Sequence, residues 1–166
     1  MSDSSLIVFV DADNTLWDTD GVYAAAQLSL LSHIETKLEG VVATSDEERL
    51  SHIRSVDQTI AERHHLGLRY PPRLLISALG LTLTGMTPDQ AARRIWGHGG
   101  ESTLMTDETI NEIELVYLDD LKTPPALRQG VQRGLALLKS SGFKVIILTE
   151  GHRDQVQGLL EFHRLG

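Results

Sequence analysis

The feature that most constrains this chain is a short apolar run that stops on acids: Leu6 to Val10, followed at once by Asp11, Ala12 and Asp13. A run of this length, rich in β-branched residues, is too short for a core helix and fits a buried strand. A strand that ends on Asp delivers a carboxylate to the carboxyl edge of its sheet, where open α/β folds keep their ligand crevices. Asp11 and Asp13 stand two apart, so both can lean to one side of an extended segment. Asn14 and Thr15 suit a turn directly after them. Acids also follow strands merely to cap the next helix, and the spacing alone leaves both readings open.

A second apolar run, Phe143 to Leu148, ends on the hydroxyl of Thr149. It follows a helical stripe of Leu127, Val131, Leu135 and Leu138 that Ser140, Ser141 and Gly142 close. Helix, tight turn and buried strand make the return half of a crossover, so the second strand is expected parallel to the first and beside it. Thr149 then leaves the same sheet edge as Asp11. Its hydroxyl, with the N–H groups of Glu150 and Gly151 before a last helix over 152–163, can hold phosphate oxygens. The alternative is that Thr149 only caps that helix.

Between these two runs the apolar spacing is helical. Ala24, Leu28, Leu31, Ile34 and Leu38 predict a helix over 22–38 that Gly40 ends, and a second runs from Ser45 to about His65 on Leu50, Ile53, Val56, Ile60 and Ala61. Pro71 and Pro72 open a third, Thr87 and Pro88 a fourth that the GHGG of 97–100 ends, and a fifth over 107–121 turns Ile110, Ile113, Val116 and Tyr117 inward. The chain therefore reads as an α/β protein in three stretches: core over 1–19, an all-helical insertion over 20–122, and core over 123–166. Its 166 residues suffice for one domain carrying an insertion. A net charge of −8 argues against nucleic acid as a partner. The polar start lacks the pattern of a secretory signal and no stretch is apolar enough for a membrane, so the expected location is cytoplasmic. Cysteine is absent, which removes thiolate chemistry. Of the histidines, His64, His65 and His98 show no ligand spacing and read as ordinary polar residues.

The segment Asp11-Ala12-Asp13-Asn14-Thr15-Leu16 resembles the first signature of the haloacid dehalogenase-like superfamily, and the strand running into Thr149, Glu150 and Gly151 resembles the second. The likeness implies a parallel, Rossmann-like core with a helical cap that excludes water and reads the leaving group. It implies phosphoryl transfer from a small phosphorylated substrate, with Asp11 as nucleophile and Asp13 as general acid and base. It also implies Mg²⁺, bound by the Asp11 side chain and the Asp13 backbone carbonyl, to offset repulsion between carboxylate and phosphate. Trp17, just after the turn, is placed for substrate contact, with a core role for its ring as the other reading.

Two further signatures of that family, a lysine and an acidic pair after a later strand, have no counterpart here. Lys122, Lys139 and Lys144 all precede the second strand, and Asp119 and Asp120 fall in a helical stretch. Two strands alone make a marginal sheet with an open edge. The expectation is a front portion of a longer protein, or a second copy or partner chain that completes the sheet edge. The rival to a phosphohydrolase is a catalytically dead or regulatory binding domain completed by such a partner. A phosphotransfer receiver also clusters acids at strand ends but carries no long helical insertion after the first of them.

Overall fold

The computed structural model describes residues 6–63, 70–97, 104–149 and 151–165. Among these the order is β1 (Ile7–Asp11), α1 (Thr19–Leu38), α2 (Asp46–Glu62), α3 (Pro72–Leu83), α4 (Pro88–Gly97), α5 (Asp107–Asp120), α6 (Val131–Ser140), β2 (Lys144–Leu148) and α7 (Arg153–Phe162). The chain divides into two compact units, Met1–Val22 with Thr123–Gly166, and Tyr23–Lys122. His64, His65 and most of the GHGG segment, residues 98–100, lie outside the described residues.

The helical unit is built around α3. Every residue from Leu74 to Leu81 is buried there, because the helix is apolar on all sides and packs against α2, α4 and α5. Leu30, Leu31 and Ile34 of α1, Ile53, Val56 and Ile60 of α2, and Ile95 of α4 complete its core. A Cβ at Gly80, inside α3, would come within 2.9 Å of Met105 Cε and 3.3 Å of Leu38 Cδ1, and both side-chain ends would have to shift. The thin stripe expected for α2 is thinner still, since Ala61 is exposed. On α5, Val116 turns outward and Ile110, Ile113 and Tyr117 form the inner face.

Helix ends follow the local chemistry. Ser45 Oγ accepts from Glu48 N as the N-cap of α2 and donates its own proton to Glu48 Oε2. Ser45→Ala is expected to destabilise the unit by about 1 kcal/mol, to be measured as a lower urea midpoint. α1 ends at Leu38, just before Gly40 as expected, and Glu39 between them takes the left-handed conformation, at φ 52°. Gly40 N donates to Glu35 O, and Leu83 lies over its Cα, 3.3 Å from where a Cβ would be. A side chain at position 40 would press on Leu83, which would have to give way slightly.

On α2, His52 Nε2 lies 2.9 Å from Thr82 Oγ1, whose own proton goes to Leu79 O. Burial holds the His52 pKa below its ordinary 6.5, against the pull of Glu35. The folded state therefore favours the neutral ring. Stability from this group is complete above 6.5 and is lost as pH falls through that value toward the depressed one. His52→Gln is expected to flatten the fall in urea midpoint between about pH 7 and about pH 5.

In the other unit β1 and β2 pair in parallel, Ile7 with Lys144 through Asp11 with Leu148, as the crossover reading expects. Val10, Val145 and Ile147 face a core made with Val131 and Leu135 of α6 and with Val156, Leu159 and Leu160 of α7. The opposite face is bare among the described residues: Ile7 and Phe9 are 51% and 60% exposed. α6 and α7 both pack on the other face. The stripe of α6 is shorter than expected. The helix starts only at Val131, after Gly130 at φ 84°, and Leu127 precedes it in an antiparallel bridge to Trp17.

Candidate active site

Asp11 is the last residue of β1 and is exposed at the carboxyl edge of the sheet. Its strand partner is Leu148, so Thr149 follows at the same edge on the neighbouring strand. The loop after Asp11 reverses at once. Thr15 N and Leu16 N both donate to Ala12 O, at 3.3 and 2.8 Å, and Asn14 takes a left-handed conformation at φ 56°. Asn tolerates that conformation because its short side chain can bond locally. Here Asn14 Oδ1 accepts from Asp20 N at 2.9 Å, which ties the turn to the start of α1.

That reversal lets the loop satisfy its own polar groups. Thr15 Oγ1 donates to Asp11 Oδ2 at 3.0 Å, leaving the other carboxylate oxygen directed elsewhere. Asp13 is exposed, and its Oδ1 accepts two bonds, from Trp17 Nε1 at 3.2 Å and from Thr19 Oγ1 at 2.8 Å. Asp18 Oδ1 accepts from Gly21 N and so caps α1, and its carboxylate also pairs with Arg128 at 3.0 Å. A Cβ at position 21 would stand 2.5 Å from Asp18 Oδ2, so this carboxylate would have to shift. Asp18 N to Ala126 O and Arg128 N to Leu16 O fasten the loop to the segment before α6.

Trp17 does not face a cleft. It is 1% exposed, packed with Ala12, Leu16 and Leu135, and its ring stacks on His163 with centroids 6.4 Å apart. The expectation of substrate contact is corrected accordingly: the backbone bridge to Leu127 turns the side chain into the core, and its N–H reaches Asp13 from beneath. Thr19 was missed in the sequence because the helix was expected to begin at Val22. The run of Asp18, Thr19 and Asp20 is an N-cap signal that could have found it.

Thr149 is not the cap of α7. That position belongs to His152, which makes no side-chain cap bond. Thr149 Oγ1 instead accepts from Gly151 N at 2.9 Å, which leaves its own O–H to donate while occupying the Gly151 N–H. Glu150 lies outside the described residues. Among the lysines, Lys139 Nζ donates to Leu165 O, Lys122 pairs with Asp119, and Lys144 opens β2 at the end opposite Asp11.

The described residues contain no group of three or more His, Asp or Glu poised around one point. The donors fit Mg²⁺ in another form. That ion retains several waters and takes only one or two carboxylates along with substrate phosphate, and Asp11 offers an exposed carboxylate with one oxygen not bound by Thr15. Among the described residues no helix is long and apolar enough to cross a membrane.

Neither a family model nor a curated protein matches the chain by sequence. Solved structures do. A magnesium-bound HAD-hydrolase of Bacillus subtilis, YfnB, is similar over 97% of this chain and 60% of its own, with 18% identity and a TM-score of 0.52. A haloacid dehalogenase-like family hydrolase of Xanthomonas campestris is similar over 95% of this chain and 56% of its own, with 15% identity and a TM-score of 0.49. This chain thus spans less than two thirds of either. Its fold is that of the haloacid dehalogenase-like hydrolases, an α/β core with helices inserted after the first strand.

Proposed function

We propose that this chain, carrying the haloacid dehalogenase-like fold, supplies a Mg²⁺-dependent phosphohydrolase site that works through an aspartyl phosphate. The observation that carries the reading is the junction of the two strands: the acid ending β1 and the hydroxyl following β2 leave one sheet edge in adjacent positions. Asp11 attacks the phosphorus. The bond from its carboxylate oxygen to phosphorus forms as the bond to the leaving oxygen breaks, and that oxygen takes a proton from Asp13. Water then attacks the phosphorus and returns a proton to Asp13. The acyl phosphate bond breaks, inorganic phosphate leaves and the Asp11 carboxylate is restored. Thr149 donates its remaining O–H to a phosphate oxygen. When bound, Mg²⁺ would be held by Asp11 and the Asp13 carbonyl and would neutralise charge between carboxylate and phosphate.

A second reading is favoured by two apolar surfaces. The Ile7 and Phe9 face is bare, and an open apolar groove of about 420 Å³ runs between Val10, Leu16, Leu135 and Leu138. A binding domain completed by a second copy or a partner chain would cover such surfaces. One assay separates the readings: release of phosphate from para-nitrophenyl phosphate with and without Mg²⁺. Mg²⁺-dependent release supports the hydrolase. No release, together with dimers or larger species in sedimentation, supports the binding domain.

A further inference from the structure

We propose that Trp17 and Thr19 are positioning residues that hold Asp13 by Oδ1 and thereby present its other oxygen, Oδ2, to the leaving group. The proposal rests on the aspartyl-phosphate reading, in which Asp13 protonates the leaving oxygen.

A carboxylate oxygen has two in-plane acceptor positions, and both on Oδ1 are taken, by the Trp17 indole N–H at 3.2 Å and the Thr19 hydroxyl at 2.8 Å. An indole N–H can only donate. A proton placed on Oδ1 would therefore displace a donor and find no acceptor on the indole. Among the described residues no hydrogen bond engages Oδ2, which leaves that oxygen to meet the leaving group.

The clamp is also anchored on its far side. The Trp17 ring lies buried against the His163 imidazole at an interplanar angle of 21°. His163 Nε2 in turn donates to Pro125 O at 2.8 Å. The backbone on either side of Trp17 is bonded to the 126–128 segment through Asp18 N to Ala126 O and Arg128 N to Leu16 O. Thr19 is the first residue of α1, capped by Asp18. Neither donor can follow the carboxylate if it swings, so together they select one rotamer of Asp13.

Placement of an acid matters in proportion to how much the leaving group needs its proton. A nitrophenolate departs without one, whereas an alkoxide does not. The test is kcat/KM, which covers phosphorylation of Asp11 and not the later hydrolysis, for para-nitrophenyl phosphate and for ethyl phosphate. Trp17→Phe keeps an aromatic ring at this buried position and removes the N–H together with one of the two fused rings. Thr19→Ala removes the hydroxyl, and Thr19→Ser restores it.

The expected result is a loss of roughly tenfold to a hundredfold on ethyl phosphate for Trp17→Phe and for Thr19→Ala, with the nitrophenyl ester changed by less than about threefold and with Thr19→Ser near the unaltered rate. Asp13→Asn serves as reference and should show the same contrast more strongly. Equal losses on both esters, or none on ethyl phosphate, in a folded Thr19→Ala protein overturn the clamp when Asp13→Asn keeps the contrast. If Asp13→Asn itself leaves ethyl phosphate turnover intact, the aspartyl-phosphate reading falls and takes the clamp with it. Should Trp17→Phe fail to fold, Thr19→Ala decides, since Thr19 is half-buried and outside the core.

Discussion

Asp11→Asn is expected to lower Mg²⁺-dependent turnover of para-nitrophenyl phosphate by roughly a thousandfold or more while leaving the unfolding curve unchanged. The amide is nearly isosteric and keeps a carbonyl oxygen, so Thr15 Oγ1 still has its acceptor and the loop retains its shape. What disappears is the anionic oxygen that forms the bond to phosphorus. A general electrostatic role for Asp11 would give a smaller loss, because Asp13 and Asp18 supply negative charge in the same loop. Steady-state assay of the variant beside a urea titration separates the two contributions. Retained turnover in a folded Asp11→Asn protein would remove the nucleophile assignment.

The largest effect on stability is expected from α3. Ile76→Ala removes three side-chain carbons from a position with no exposure, flanked by neighbours that are buried from Leu74 to Leu81. The lost transfer energy and the cavity left behind together cost about 3 to 4 kcal/mol. That is a large share of the about 5 to 15 kcal/mol that holds an ordinary domain together. A sharply lower urea midpoint, followed by far-ultraviolet circular dichroism, is the expected outcome. A change under about 1 kcal/mol would mean that α3 is not the centre of its unit.

The strands, their parallel pairing and most of the helices were legible because each rests on a local pattern: apolar runs of strand length, helical spacing and capping residues. Ser45 and Thr106 cap α2 and α5 as their residue types suggest. Asp11 and Thr149 were legible for the same reason, since a polar residue closing an apolar run names its own place in a sheet. The support beneath Asp13 was not. It depends on the loop doubling back through a left-handed Asn14, so that residues four and six positions on return to one carboxylate oxygen. Trp17 was ambiguous because an aromatic ring suits a cleft or a core equally well, and only the bridge to Leu127 turns it inward. The same bridge shortens α6, although Leu127 fits the helical stripe. The bare face of β1 had no sequence signal, because Ile7 and Phe9 look no different from residues destined for cover.

The proposed reaction passes a phosphoryl group through the carboxylate of Asp11. It is tested most directly by quenching the protein in acid during incubation with Mg²⁺ and para-nitrophenyl phosphate and locating covalent phosphate by peptide mass spectrometry. The predicted result is a phosphoryl group on the peptide containing Asp11, absent from the Asp11→Asn protein. Turnover with no phosphorylated peptide, or with the phosphoryl group on another residue, would contradict it.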